Sequence, residues 1–283
     1  MTKFNTERTF GVEVEMAIRM STAFDVAEKL TDNGYSCEVT GYHGYTSKRW
    51  KIESDSSCGY ELVSPILRGW EGLNELESVL EIVNSFEEVK VNVKCGLHVH
   101  HGVKDLDGKQ FKRIYGLYHK FEEVIDSMLP KSRRGNTNDY CKSIKYTNHN
   151  KLRQSAEFTI DRINKAKTIS DIERLYHSRY LKLNCQKYRE IGTIEFRQHS
   201  GTTDFEKIKN WVLLTQAIVE SAKTKIRLPK STNFKYRDSY RAFYIALKMA
   251  NYLNPSEEYN GVREFYKARI EELAVPYTER RSA

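Results

Sequence analysis

The fold of this chain is decided by the stretch Phe10-Gly11-Val12-Glu13-Val14-Glu15. Apolar and polar residues alternate in it, which predicts a strand with one buried face. Glu13 and Glu15 then share the open face, about 6.6–6.8 Å apart, where their charges repel each other. A divalent cation beside them would remove that repulsion. The stretch therefore predicts both a half-buried strand and a candidate metal site.

Three further segments place polar, metal-competent side chains on predicted strands or on the turns that join them. They are Asp55 and Glu61 beside one turn, His98 and His100 on one face of a strand, and Glu195 and Arg197 on one face of another. Each pair alone has an ordinary explanation, such as the solvated side of a sheet or a cross-strand ion pair. Their joint occurrence indicates that one curved sheet collects them over a single cavity. Carboxylate oxygens with an imidazole suit Mg²⁺ or Mn²⁺ better than zinc.

The rest of the chain predicts an α+β fold with a largely antiparallel sheet, because hairpin-like strand pairs are interrupted by single helices. We expect a catalytic sheet with covering helices over residues 1–203 and a helical part, packed on the same domain, over 204–283. Further strands are predicted at Trp50–Glu53, Tyr60–Val63, Val89–Val93, Leu97–Val103, Tyr180–Asn184 and Gly192–His199, and helices at 22–31, 70–83, 111–128 and 152–166 and around Trp211, Phe243 and Tyr266.

Composition narrows the class of protein. The chain has 283 residues, 46 Lys plus Arg and 38 Asp plus Glu, so its net charge is +8, which favours anionic partners such as nucleotides or nucleic acid. No run of 18 apolar residues predicts a membrane-spanning helix, and the first twenty residues contain no apolar segment of a secretory signal. The 5 cysteines include no C-x-x-C pair, which is typical of free thiols in a reducing cytoplasm.

Several common catalytic motifs are absent from the sequence. It contains no G-x-x-x-x-G-K-[ST] phosphate loop, no G-x-G-x-x-G after a strand and no G-x-S-x-G elbow. A nucleotide would therefore be held through metal ions and arginines, which suits phosphoryl transfer because that reaction depends on positioning and charge neutralisation.

Five segments, taken together and in order, resemble the amidoligase family of the glutamine synthetase and glutamate–cysteine ligase superfamily of carboxylate–amine ligases. They are Phe10–Glu15, Glu61–Pro65, Gly96–His100, Arg179–Asn184 and Gly192–Arg197. The resemblance extends from Phe10 to about Trp211. It implies a curled antiparallel sheet whose concave face is the active site, with helices packed outside. It also implies ATP and two or three Mg²⁺ or Mn²⁺ ions.

The resemblance also implies roles for individual residues. The metal ligands that it implies are Glu13, Glu15, Glu61, His98 and Glu195. His100 would approach the phosphates, and Arg197 would face the transferred phosphate. Asp55 stands with Glu61 in the place of an acidic pair that binds metal in the superfamily. Apart from the resemblance, Asp55 or a glutamate near the cavity mouth is a candidate general base for the amine. Arg179 and Asn184 match an R-x-x-x-x-N segment that would contact nucleotide or substrate. Lys142, in a polar loop, is a candidate for the same contact or a plain surface lysine.

The implied reaction joins a carboxylate to an amine. ATP would phosphorylate the carboxylate of a small molecule or peptide, and the amine of an amino acid or macromolecule would displace phosphate to form an amide. One alternative is a metal-dependent phosphodiesterase or nuclease, which could use the same carboxylates and histidines on DNA or RNA. Another is a non-catalytic binding protein on a ligase-like scaffold.

Overall fold

A computed structural model of the protein describes residues 4–41, 48–146, 148–149, 152–153, 156–224 and 257–274. Its centre is an open eight-stranded sheet in the order β2-β3-β4-β1-β6-β10-β9, with β5 also paired to β1. Every pairing in it is antiparallel except β2 with β3. Its strands are β1 (Thr9–Met16), β2 (Cys37–Thr40), β3 (Trp50–Asp55), β4 (Gly59–Val63), β5 (Leu67–Arg68), β6 (Gly96–Gly102), β9 (Leu183–Asn184) and β10 (Thr193–Ser200). A separate hairpin joins β7 (Asn148–His149) to β8 (Leu152–Arg153).

Eight helices accompany these strands in the described part of the chain. They are α1 (Met20–Asp32), α2 (Gly69–Asn84), α3 (Gly108–Ser127), α4 (Ala156–Lys165), α5 (Ile169–Leu175), α6 (Tyr188–Ile191), α7 (Phe205–Ser221) and α8 (Glu257–Ala274). Helices α1, α2 and α7 contact the sheet, and α8 contacts α3 and α7. The expected α+β fold with a largely antiparallel sheet is confirmed. None of the described helices is both long and apolar enough to traverse a lipid bilayer.

The two faces of β1 have the division that the sequence predicts. Phe10, Val12, Val14 and Met16 are each at most 2% exposed and belong to the hydrophobic core. Burial of each of these side chains contributes roughly 1.5–3 kcal/mol to folding. On β6, the ring of His101 also faces the helices, because its Nε2 lies 2.8 Å from the Thr215 hydroxyl of α7. In the described ranges, the helices therefore cover one face of the sheet and leave the other open.

Some predicted elements differ from the structure. Val89–Val93 is not a strand: Val91 is 40% and Val93 77% exposed, so these β-branched residues have no sheet neighbour to pack against. The strand predicted at Tyr180–Asn184 is only Leu183–Asn184, and the helix predicted from residue 152 begins at Ala156. The helix predicted around Phe243 lies outside the described residues. The division into 1–203 and 204–283 stays a prediction.

A buried ion triad connects α3 to the segment before β9. The Nζ atom of Lys182, which has no solvent exposure, lies 3.0 Å from Glu122 Oε1 and 2.5 Å from Asp126 Oδ1. Both carboxylates lie on one face of α3, one helical turn apart. Because the alternative for each group is a buried, unpaired charge, the three side chains hold the segment against the helix.

We expect Lys182→Met to lower the free energy of unfolding by about 3–5 kcal/mol, because it leaves two buried carboxylates without their cation. Urea denaturation measures this change. The matched control is Lys165→Met, which removes an exposed pair with Asp161 on α4 and should cost about 0–1 kcal/mol. Equal losses for the two variants would contradict a stabilising role for the triad.

Candidate active site

The open face of the sheet carries polar side chains in rows that cross neighbouring strands. Opposite residues on antiparallel strands are about 4.5–5.5 Å apart, so the register determines which side chains meet. One row contains Glu53, Glu61 and Glu15, a second contains Lys51, Val63, Glu13 and His98, and a third contains Gly11, His100, Glu195 and Asn184. Residues that are far apart in the sequence therefore converge through strand pairing alone.

The centre of the face is formed by two histidines and two glutamates. His98 Nδ1 lies 3.0 Å from Glu13 Oε2 and 3.6 Å from Glu195 Oε1. His100 Nε2 lies 3.2 Å from Glu13 Oε1 and 3.9 Å from Glu195 Oε1. The other nitrogen of His98 is 3.4 Å from Glu15 Oε1. Each imidazole thus lies between carboxylates, where a cation would also be stabilised.

Arg197 and Asn184 border this centre from β10 and β9. The Arg197 guanidinium pairs with Glu195 Oε1, and Asn184 Nδ2 donates to Glu195 Oε2 at 2.7 Å. Burial raises the pKa of Glu195, but Arg197 and His100 more than offset this effect and hold that pKa below its usual range. Glu195, which is 3% exposed, is therefore an ionised acceptor.

The residues of this face line one cavity of about 1230 Å³. Asp55 also lines it, and its Oδ1 accepts hydrogen bonds from Ser57 N at 2.7 Å and Cys58 N at 3.0 Å. Arg179 also lines the cavity and stacks on the ring of Tyr180, with 5.0 Å between its guanidinium carbon and the ring centre. Lys142 does not line it, because its side chain points to Asp139 Oδ1, 3.1 Å away.

Sequence reasoning missed several residues of the cavity wall. Arg133, in the short 3-10 turn Lys131–Arg133 that follows α3, is 3% exposed and lines the cavity. Tyr140 and Tyr180 meet edge to face at its mouth, with ring centres 5.5 Å apart. In the sequence Arg133 belongs to a short basic run, and nothing in that run separates it from its neighbours. Only the packing of the segment after α3 identifies it.

Residues 6–219 match the protein family described as "Putative amidoligase enzyme". The chain belongs to this amidoligase family. The match includes all of the sheet and the helices up to α7, so the resemblance drawn from the five segments is confirmed. Family membership supports a carboxylate–amine ligase.

Comparison with solved structures finds a crystal structure of the complex between the prokaryotic ubiquitin-like protein Pup and its ligase PafA. The match has 9% sequence identity and a TM-score of 0.46, and it includes 95% of this chain. This amidoligase family member spans 64% of the length of the chain that it matches there. A search of curated proteins finds no match to the sequence of this amidoligase family member.

The donor atoms of this amidoligase family member fit divalent cations. Three groups each bring their donor atoms within 4.8 Å of one another: Glu13 with His100 and Glu195, Glu13 with Glu61 and His98, and Glu15 with Asp55 and Cys58. Oxygen donors dominate all three, which suits Mg²⁺ or Mn²⁺. His100 Nε2 lies 3.2 Å from Glu13 Oε1 and 3.9 Å from Glu195 Oε1, so the donor atoms of the first group already face one another.

The pKa of Glu61 reflects the crowding of negative charge on this face. Burial, followed by the nearby carboxylates of Glu13, Asp55 and Glu15, raises the pKa of Glu61 to about 10. In an unfolded chain this carboxyl ionises at its ordinary pKa of about 4.3. Folding without metal at neutral pH therefore takes up a proton, and the stability that this group contributes falls as the pH rises from about 4.3 towards 10. A bound cation would favour the ionised form instead.

We expect Glu61→Gln to keep or raise the unfolding temperature in EDTA at pH 8, because glutamine needs no proton to stay neutral. The same variant should bind Mn²⁺ at least ~10-fold more weakly, because one donor oxygen loses its charge. Differential scanning calorimetry and Mn²⁺ titration measure the two effects.

The matched control is Glu53→Gln on the neighbouring strand. Glu53 pairs with the buried Lys51, so its loss should lower the unfolding temperature in EDTA. If Glu61→Gln destabilises the metal-free protein as much as Glu53→Gln and leaves Mn²⁺ binding unchanged, the crowded carboxylates are not a cation site.

Proposed function

We propose that this protein is an ATP-dependent ligase that joins a carboxylate to an amine through an acyl-phosphate intermediate. The observation that supports the proposal most directly is the convergence of Glu13, His98, His100, Glu195 and Arg197 on the open face of the sheet, in a member of the amidoligase family. Carboxylates, imidazoles and a guanidinium in one cavity suit a reaction in which negative phosphate oxygens must be held and neutralised.

The glutamates and His98 are the residues that would hold the cations. Glu13, Glu15, Glu61, His98 and Glu195 supply the donor atoms, and Asn184 and Arg197 keep Glu195 oriented. Bound Mg²⁺ or Mn²⁺ would neutralise phosphate oxygens and align them for transfer. The contacts of Asn184 and Arg197 with Glu195 matter because a carboxylate whose orientation is already fixed needs no rearrangement when the nucleotide binds.

Arg197 and His100 are the residues that we assign to the transferred phosphoryl group. Arg197 lies next to the candidate cation groups, and its buried Nε has no hydrogen-bond partner in the described residues. His100 has its Nδ1 3.1 Å from the Thr193 hydroxyl, which fixes the ring. Both side chains can donate hydrogen bonds to phosphate oxygens as charge develops during transfer to the substrate carboxylate.

Asp55 is the residue that we assign to the proton of the attacking amine. Burial raises the pKa of Asp55, but hydrogen bonds from Ser57 and Cys58 lower it overall, so the carboxylate is ionised at neutral pH. An ionised carboxylate that lines the cavity can accept a proton as nitrogen attacks the acyl phosphate. Arg179 and Asn184 remain candidates for nucleotide or substrate contacts. Lys142 is the weakest candidate, because it pairs with Asp139 away from the cavity.

The substrates that fit this chemistry are a small-molecule or peptide carboxylate and the amine of an amino acid or macromolecule. The net charge of +8 is compatible with nucleic acid as a carrier of either group, although nothing in the cavity favours it. A cytoplasmic site of action, proposed from the cysteine content, supplies the ATP that the reaction consumes.

We expect Glu195→Gln to reduce ATP turnover at least ~100-fold while the protein stays folded, because the variant removes a charged donor and the partner of Arg197. The assay measures ADP release with Mg²⁺, ATP and a mixture of amino acids. Glu190→Gln is the matched control, because Glu190 also lines the cavity but its side chain is 60% exposed and pairs with Lys187.

The same assay separates the ligase from its rivals. ADP release that depends on added amino acids supports the ligase, and retained turnover in Glu195→Gln removes Glu195 from the cation site. Cleavage of DNA or RNA with Mg²⁺ or Mn²⁺ in the absence of ATP would instead identify a phosphodiesterase. A natural protein that binds neither ATP nor divalent cations would point to a binding module.

A further inference from the structure

One buried cation of the cavity wall has no negative partner among the residues that the structure describes. Five lysines and arginines in the described part of the chain are buried. Four of them form ion pairs with carboxylates: Arg8, Lys51, Lys145 and Lys182. The fifth is Arg133, which is 3% exposed and forms no ion pair with any described residue. Because buried charges are normally paired, this exception needs an explanation.

The hydrogen bonds of Arg133 hold it in place without neutralising it. Its Nη2 donates to the backbone carbonyls of Cys95 and, at 3.2 Å, of Lys94. Its Nε is buried and has no partner among the described residues. Two neutral carbonyls orient the guanidinium but leave its full positive charge on the cavity wall, where an anion from solution could reach it.

The position of Arg133 is beside the candidate cation groups. A Cβ atom built on Gly96 would lie 3.0 Å from His98 Nε2 and 3.4 Å from Arg133 Nη1, so the glycine separates the guanidinium from the imidazole. Gln198, which follows Arg197 in β10, donates to the Arg133 carbonyl at 3.2 Å. Lys94 and Arg179 line the same cavity. A ligand held by the glutamates would therefore have an arginine next to it.

We propose that Arg133 is a recognition residue for an oxyanion of the bound ligand, either a phosphate of the nucleotide or a carboxylate of the substrate. This inference rests on the proposed function and adds to it a residue that the family resemblance does not assign. A guanidinium with its orientation already fixed loses little side-chain entropy when it binds such a group. It acts in binding, so it belongs to specificity and not to bond formation.

The test is equilibrium binding of three probes to Arg133→Gln, Arg133→Lys and the matched control Arg134→Gln. Arg134 also donates to a backbone carbonyl, that of Leu129 at 2.8 Å, but it does not line the cavity. The probes are a non-hydrolysable ATP analogue with Mg²⁺, inorganic phosphate, and L-glutamate, all at one ionic strength. Glutamine at position 133 can still donate to the Cys95 carbonyl, so the local fold should persist.

We expect Arg133→Gln to weaken at least one probe about tenfold or more relative to Arg134→Gln, with part of the affinity kept in Arg133→Lys. Loss confined to the nucleotide and phosphate identifies a phosphate contact, and loss confined to L-glutamate identifies a carboxylate contact. Equal binding of all three probes by Arg133→Gln and Arg134→Gln would overturn the proposal, as would a natural protein that binds none of them. If Arg133→Gln does not fold, Arg133→Lys decides by the same comparison.

Binding needs no turnover, so this test is independent of the proposed reaction. A protein that binds the nucleotide analogue through Arg133 but never releases ADP would contradict the ligase and keep the anion site. A protein that turns over ATP but binds every probe equally well without Arg133 would do the reverse.

Discussion

Mutual repulsion among carboxylates on one face of the sheet is the constraint on which this structure depends. Strand pairing places Glu15 opposite Glu61, and Glu61 opposite Glu53, at spacings where like charges are costly. Lys51, His98, His100 and Arg197 offset part of that charge. The remainder appears in Glu61, whose pKa rises to about 10. Such a face is stable only when a proton or a cation offsets the remaining negative charge.

The opposite face of the same strands explains how such a site is tolerated. Phe10, Val12, Val14 and Met16 pack against helices that bury their apolar surface, and this burial opposes the electrostatic cost of the open face. Because side chains alternate along each strand, the residues that stabilise the fold lie on one face of the sheet and the residues of the candidate site lie on the other. The ring of His101 shows the division, since it binds Thr215 on α7 while its neighbour His100 lies in the cavity.

The sequence was sufficient to predict the parts of the site that follow from a period of two. Alternation in residues 10–15 and the spacing of His98 from His100 determine which side chains share a face, and the order of the five segments identified the family. Arg133 could not be predicted, because it reaches the cavity from a turn after α3 through packing that has no period. The strand predicted at Val89–Val93 was wrong because Val91 and Val93 are exposed, and local β propensity produces a strand only where a neighbouring strand is available to pair with it.

The irregular pairing within β10 has a consequence for how this family can vary. Phe196 lies opposite Val99, yet His199 lies opposite Leu97, so one extra residue is accommodated between them. Arg197 can thus serve the cavity while His199 stacks near Trp211 in the core, with ring centres 5.3 Å apart. Deleting one residue there would move each later side chain of β10 to the opposite face of the sheet, so that residues of the core would face the cavity and residues of the cavity would face the core. Natural relatives should accordingly conserve the length of this segment more strictly than its composition.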